Sequence, residues 1–377
     1  MKESIAIHNL GPIKDISIEE IKPFTVLVGE SGSGKSVLMK VIALFRYLYK
    51  KYNVGFYLKH SNISQQSSFE FYMDEYLKNC GFEQFIKNDT KITYRVSNNG
   101  RTYTIEFNNS KLENIEPVLK DDLSFTKISF ISEARNILPL YLENNSKENL
   151  GFYFNEVCQD FKLAEKIGDI ALDFLNIEFK ISKTQSEKKY LISSKEQGDS
   201  FEIDYKNSSS GIQNAVPIML IAQYFANEFD FKEAFNRSAL SLLSETDKLT
   251  DFRAVKNLGD LDKKIYIHIE EPELGLFPDA QCELINALVG KCFSGNKNKT
   301  ELCLSTHSPY IINHLNLLIK AYEKNSVGLK YNCDDLAVYY IQDGQKFDLK
   351  VKNENLINTN ILSETINNIY NEYEKLG

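Results

Sequence analysis

Residues 29 to 36 read GESGSGKS, and every fixed position of the phosphate-binding pattern G-x-x-x-x-G-K-S is filled. Glycines in such a loop let successive backbone N–H groups converge on phosphate oxygens, and the helix that follows directs its positive end at the same anion. Lys35 would reach the β- and γ-phosphates of a nucleotide, and the Ser36 hydroxyl would ligate Mg²⁺. The candidate phosphate-binding residues are Gly29, Glu30, Ser31, Gly32, Ser33, Gly34, Lys35, Ser36 and Val37. Four fixed positions match by chance in about one chain per hundred of this length, so context decides. Here the loop follows the apolar run FTVLV and opens SVLMKVIALFRYLYKKY, whose apolar residues recur at helical spacing.

A second stretch, IYIHIEEPELGLFP at 265–278, is an apolar strand ending in two carboxylates. Ligands of open α/β sheets bind at the C-terminal ends of the strands. Glu270 would hold Mg²⁺ through water and Glu271 would polarise the attacking water. An isolated pair of this kind is more often two solvated glutamates; a phosphate loop in the same chain favours the chemistry. His268, inside the strand, reads as a packed or hydrogen-bonded sheet residue. A third stretch, LCLSTHSPYII, ends another apolar strand in Ser305, Thr306 and His307. A histidine there can hydrogen-bond a γ-phosphate.

These residues need a framework. KDISIEE alternates, with Ile16 and Ile18 on one face, and FTVLVG suits a strand covered on both sides. Strand, glycine turn and helix begin an α/β unit. From about 52 to 127 the texture is less regular, with polar loops (HSNISQQSS, VSNNGRTYT) and a short alternating TYTIEF, and KISFIS then gives a strand. Residues 147 to 178 read as helical, and FKISK, KKYLISS and SFEIDY as a small antiparallel sheet. The α/β texture returns from about 208. IQNAVPIMLIAQYFANEF is a helix with Pro217 in its early turns or at a kink; strands IYIHI and ELCLST flank a helix near 279–291, and a strand pair and a helix close the chain.

The expected fold is α/β, a P-loop sheet with flanking helices and an antiparallel β subdomain, plus an inserted helical and β lid. Three segments follow: 1–50 as the first part of the core, 51–207 as the lid with a strand at 128–135, and 208–377 as the rest of the core. There is no long heptad run, so no long coiled-coil arm is expected.

The composition, 42% hydrophobic and 25% charged, is that of an average soluble globular protein. No run approaches a membrane span, and the N-terminus has no secretory h-region. Six scattered cysteines without metal spacing suit reduced thiols in the cytoplasm. A formal charge of −8 does not favour sequence-independent nucleic-acid binding. Arg46, Lys50, Lys51 and Lys59 are a candidate basic face, more simply a solvated helix face.

With the three motifs in this order, the chain resembles the ABC-type ATPases, specifically the non-transporter branch that includes SMC-like and RecF-like repair ATPases and the overcoming-lysogenization-defect (OLD) family. The resemblance runs through IHNLGPIKD, the P-loop, EEPELGLFP, STHSP and the closing DGQKFDLKVKNENLINTNILSETI. It implies two heads that sandwich ATP, the P-loop of one facing a signature loop of the other. SSGIQ is the candidate signature loop. It keeps Ser210, Gly211 and Gln213 of Leu-Ser-Gly-Gly-Gln and has Ser209 and Ile212 at the other two places. The resemblance places Glu133, in ISFISEARNILP, where a glutamine usually contacts the nucleotide and its metal. Arg135 would supply charge to the phosphates or pair with Glu133. Gly275, Leu276 and Pro278 fall in the loop that touches the facing subunit.

The resemblance therefore implies a cytoplasmic ATPase that uses ATP and Mg²⁺, with Lys35, Glu271 and His307 catalytic and Ser36 and Glu270 at the metal. Its partners would be itself, as an ATP-dependent homodimer or higher oligomer, and a separate effector. Compact heads of this kind resemble OLD-like, Septu-type and PARIS-type anti-phage ATPases, several of which work with a nuclease. The stretch after His307 is too short for the Toprim nuclease domain of full OLD proteins, so a nuclease is expected on another chain. The alternatives are an SMC- or RecF-like ATPase that binds DNA ends in repair, and a non-hydrolysing ATP-dependent scaffold.

Overall fold

The computed structural model describes residues 1–61, 80–108, 111–113, 116–143, 150–184, 188–195, 201–245, 254–255, 258–259 and 261–376. Its centre is a six-stranded sheet in the order β15 (Gln345–Asp348), β14 (Leu336–Gln342), β3 (Phe24–Val28), β13 (Thr300–Thr306), β12 (Asp262–Glu270) and β7 (Ser124–Ile131). All neighbours are parallel except the β14–β15 hairpin. The apolar runs of the sequence become strands buried on both faces, as parallel sheets require; all five residues of β3 and all seven of β13 are buried.

Two cores follow from the alternation of side chains across this sheet. Leu27 and Cys303 face α1 (Lys35–His60) and an antiparallel sheet in the order β2 (Ile13–Ile18), β1 (Lys2–Leu10), β4 (Ile86–Asn98), β5 (Arg101–Asn108), β6 (Lys111–Leu112). Val26, Val28, Leu302 and Leu304 face the opposite core. That core holds α3 (Phe152–Ala164), α4 (Ser210–Asn227), α6 (Pro278–Phe293) and α7 (Pro309–Glu323). A small antiparallel sheet, β11 (Glu202–Asp204), β10 (Lys188–Ser194), β9 (Ile177–Lys183), β8 (Ile170–Leu172), lies at its margin. The remaining helices are α2 (Leu138–Glu143), α5 (Phe231–Glu245) and α8 (Asn360–Lys375). The α/β architecture expected from the motifs is present. No helix among the described residues is long and apolar enough to cross a membrane.

Two expectations differ from the structure, and a third lies mostly outside the described residues. The segment 51–207 is not one inserted unit: α1 runs through residue 60, β4 pairs with β1, and β7 pairs with β12 inside the central sheet. The helical reading of 147–178 holds only for α3; Gly168 turns out of the helix at φ 82, and Ile170–Leu172 then pair as a strand. Most of the polar loop HSNISQQSS lies outside the described residues.

Arg46 does not belong to a solvated basic face on α1; Lys50 and Lys51 are half-buried and Lys59 is exposed. Arg46 is 3% exposed. It donates to both oxygens of Glu3, at 3.2 and 2.7 Å, and its guanidinium lies 3.8 Å from the Tyr266 ring centroid. His268 completes this buried network, with Nε2 3.1 Å from Arg46 Nη1 and Nδ1 3.0 Å from the Ser129 carbonyl oxygen. A guanidinium only donates, so Nε2 accepts and Nδ1 carries the proton. His268 is thus a hydrogen-bonded sheet residue, and burial with the nearby Arg46 pushes its pKa down to about 3.

Candidate functional site

The phosphate loop leaves β3 at Gly29 and enters α1 at Gly34, with φ values of 151 and 108. Gly29 admits no side chain, because a Cβ would lie 2.4 Å from the carbonyl oxygen of Ile341. The first turn of α1 has no side-chain cap, so its N–H groups are open to an anion. Lys35 is 5% exposed, and its Nζ donates to the carbonyls of Gly29 and Glu30, each at 2.8 Å. Burial lowers its pKa, opposed by the carboxylates of Glu271, Glu273 and Glu30.

Parallel pairing of β12 with β13 sets Glu270 beside Ser305 at the same sheet edge. Glu270 is 1% exposed, with Oε1 3.5 Å from Lys40 Nζ. Burial raises its pKa, opposed by the Lys40 ammonium and the Ser36 hydroxyl and reinforced by the Glu133 carboxylate. Ser36, Glu270 and Glu133 are therefore neighbours. Glu271 turns out of the strand in the left-handed region at φ 43, an uncommon conformation for a glutamate and one that concentrates at functional sites. Its N–H donates to the carbonyl oxygen of Ser305 at 2.8 Å, and Oε1 lies 3.4 Å from His307 Nε2. The pairing of Glu271 with His307, from separate motifs, is thus built into the sheet.

Glu273 escaped the sequence reading, although EEPE displays it. Its Oε1 accepts from Thr306 Oγ1 at 2.8 Å and from the His307 N–H at 2.7 Å. It locks the Glu271 loop to the His307 loop.

Arg135 does neither of the things expected of it. It is fully buried, and its donors go to carbonyl oxygens of Ser132 (3.1 Å), Asn214 (3.3 Å), Glu270 (2.6 Å) and Glu271 (2.6 Å). Glu133 is exposed and leaves Arg135 to these acceptors. Burial lowers the guanidinium pKa to about 10.

Ser210 begins α4, exposed, after an extended Ser209 and with no side-chain cap. Gly211 is buried against the loop after Glu271: a Cβ on Gly211 would meet the Gly275 carbonyl oxygen at 2.5 Å, and one on Gly275 would meet Ser210 Oγ at 2.8 Å. Gln213 spends its amide inside the chain, Nε2 donating to Lys206 and Ser208 carbonyls at 2.7 and 3.0 Å. In this structure it braces the loop rather than facing outward. Pro217 sits inside α4 and cannot donate to the carbonyl of Gln213, four residues back. The hydroxyl of the buried Tyr205 donates there instead, at 2.7 Å. That compensation was not visible in the sequence.

Among the described residues, buried side-chain oxygens with no hydrogen-bond partner gather around this edge: Ser33 Oγ, Ser132 Oγ, Glu270 Oε1, Glu273 Oε2 and Ser305 Oγ. Buried polar atoms are ordinarily satisfied, and such a cluster calls for an explanation. Carboxylates of Glu30, Glu133, Glu270, Glu271 and Glu273 surround the Lys35 and Lys40 ammoniums. That balance suits a phosphate chain carrying a divalent cation better than a bare one. The oxygen donors of Ser36 and Glu270 fit Mg²⁺, a hard ion that takes few protein ligands.

No protein-family model matches the chain, and no curated protein matches it in sequence. In structure it is similar to an SMC head domain from Thermotoga maritima, at 12% identity over 93% of this chain and 99% of that one, with a TM-score of 0.40. It is also similar to the recombination mediator protein RecF of the RecFOR pathway, at 12% identity over 93% and 98% with a TM-score of 0.38. A dimeric ATP-binding cassette bound to ADP and phosphate is similar at 12% identity over 92% and 99%, with a TM-score of 0.30. At these values the likeness carries no argument about activity, and the site speaks through its own residues.

Proposed function

We propose that the chain binds and hydrolyses ATP with Mg²⁺, in a site completed by a second copy. The observation that carries this is the meeting of Glu271 and His307, 3.4 Å apart, at the sheet edge where Lys35 also faces Glu271. The P-loop N–H groups and Lys35 hold the β- and γ-phosphates. Ser36 and Glu270 hold Mg²⁺, which when bound neutralises phosphate charge. Glu271 orients and deprotonates the attacking water, and His307 hydrogen-bonds the γ-phosphate and holds the Glu271 carboxylate in place.

The second copy enters through α4. Its uncapped start at Ser210 lies on the opposite side of the central sheet from α1, at the edge that carries Glu271. Ser210 and the N–H of Gly211 therefore suit a γ-phosphate offered by another molecule. Phe277, 76% exposed, and Tyr310, 50% exposed, follow Gly275 and His307 and give this edge apolar contacts for the partner. An ATP-dependent pair of this kind acts as a switch. The motif resemblance extends the proposal to a scaffold for a separate effector, such as a nuclease, in bacterial anti-phage defence. Direct DNA binding is the weaker reading, since Arg46 of its basic patch is buried in an ion pair with Glu3.

Phosphate release and molar mass measured with ATP test this reading. Glu271→Gln is expected to lose ~10²–10⁴-fold in turnover, the usual worth of a general base, while retaining ATP and the paired state. No turnover in the wild type would leave a non-hydrolysing scaffold, and equal turnover in both proteins would remove Glu271 from the general-base role.

A further inference from the structure

One stripe of α1 connects the nucleotide site to a separate cleft. Lys40, Leu44, Tyr47, Lys50, Lys51 and Val54 recur every three or four residues and share a face. At its upper end Lys40 meets Glu270. Lower down, α1 forms with β7, α3 and α5 a cleft of about 310 Å³, within the range of small-molecule sites, roughly 300–1,000 Å³.

The charges in this cleft are unevenly matched. Lys50, Lys127 and Arg237 line it, with Glu156 and Asp160. Asp160 is committed to Lys127 Nζ and Ser129 Oγ, each at 2.6 Å. Among the described residues, the ion pair of Arg237 is an exposed one with Glu233 at 3.6 Å. Among the described residues no carboxylate forms an ion pair with Lys50, whose Nζ lies 5.0 Å from the centre of the Phe125 ring. Burial and the ammonium of Lys127 depress the Lys50 pKa to about 8, opposed by the carboxylates of Glu156 and Asp160; a further anion would favour the charged ammonium. Ser241 on α5 also lines the cleft, and the Ser238 hydroxyl there donates to the Ala234 carbonyl at 3.0 Å.

A smaller apolar lobe of about 40 Å³ adjoins the cleft and shares Tyr47, Ile128 and Glu156 with it. Leu44, Phe130 and Tyr153 line this lobe. The Tyr153 ring centre is 4.9 Å from Lys40 Nζ, which is 3.5 Å from Glu270 Oε1.

We propose that this cleft binds a small organic anion, a phosphate or carboxylate on an apolar body, and that its occupancy acts on Glu270 through Tyr153 and Lys40. The anionic group lies among Lys50, Lys127 and Arg237, and the apolar part enters the lobe against Tyr153. The binding site stands on the cleft alone; only the effect on turnover rests on the ATPase reading.

Calorimetric titration of the full chain with phenyl phosphate and with phenylacetate tests it. Saturable binding of at least one probe is expected, weakened about tenfold or more by Lys50→Gln, the loss of one charged partner, and unchanged by Lys35→Ala. The stronger probe tells phosphate from carboxylate. Binding that survives Lys50→Gln with Arg237→Gln, that Lys35→Ala abolishes, or that never saturates overturns the site. With binding established, the probe is expected to change kcat for ATP in the wild type and not in Tyr153→Leu; an equal change in both overturns the route through Tyr153. A protein that binds the probe but hydrolyses no ATP would refute the ATPase reading and leave the cleft standing.

Discussion

Arg135 Nη2 donates to the carbonyl oxygen of Glu271 at 2.6 Å, so a buried guanidinium holds the backbone of the residue that would activate water. The same side chain reaches Asn214 in the first turns of α4 and Ser132 at the end of β7. The left-handed turn at Glu271 is therefore tied to the helix that would face the second copy. Movement of α4 on pairing would be felt at the Glu271 carbonyl, which makes Arg135 a positioning residue.

Arg135→Lys keeps the charge but loses the planar fork. Turnover is expected to fall roughly 10–100-fold, the usual consequence of a small misplacement in a reacting group, with KM for ATP little changed. Arg135→Leu leaves buried carbonyls without donors and is expected to cost about 3 kcal/mol or more of stability. Steady-state kinetics with urea unfolding separate the two effects. A raised KM with normal kcat in Arg135→Lys would assign Arg135 to substrate binding instead.

Tyr205 and Pro217 form a compensating pair around the Gln213 carbonyl. Tyr205→Phe is expected to destabilise by about 1–3 kcal/mol, the cost of an unsatisfied buried acceptor. In a Pro217→Ala background the restored helical N–H satisfies that carbonyl, and the same change is expected to cost less than ~1 kcal/mol. A double-mutant cycle by urea unfolding measures the difference. Additive costs would contradict the pairing.

His268 sets a pH dependence of stability. Its pKa is about 3 in the fold against an ordinary 6.5, so below 6.5 the unfolded chain binds a proton that the fold excludes. The contribution is complete above 6.5 and is lost as pH falls, reaching about 1.4 kcal/mol at pH 5.5. The carboxyl of Glu3, buried but held below its ordinary 4.5 by Arg46, adds its loss only at lower pH. Between pH 7.5 and 5.5, urea unfolding is expected to show a fall in wild-type stability that His268→Gln lacks by about that amount. Parallel losses in the two proteins would show that His268 is not the group responsible.

The parts of the site legible in the sequence are those built from consecutive residues. GESGSGKS, the Glu270–Glu271 pair and His307 each stand at the end of an apolar strand, so a linear reading places the candidate residues on the framework that carries them. Ser210 became a candidate through the order of the motifs, and the close approach of Ser210 and Gly211 to Gly275 emerged only in three dimensions. Arg135 was misread because its acceptors lie 79, 135 and 136 residues away as well as nearby. Local spacing offered only Glu133 or a phosphate. Gln213 was read as a ligand from its motif position, whereas its acceptors belong to the turn just before it. The position 50/51 falls inside α1, and strand pairing, which joins β4 to β1 across α1, leaves no local mark in the sequence.

The central claim is that each site takes Lys35 from one molecule and Ser210 from another. Lys35→Ala and Ser210→Arg proteins, each inactive alone, are to be mixed and phosphate release followed. A mixed pair contains one site with both native halves. Recovery of activity is expected, reaching roughly a quarter of wild type at equal concentrations if twofold pairs form at random. Two inactive proteins that stay inactive at every mixing ratio, while each still folds, would contradict the shared site.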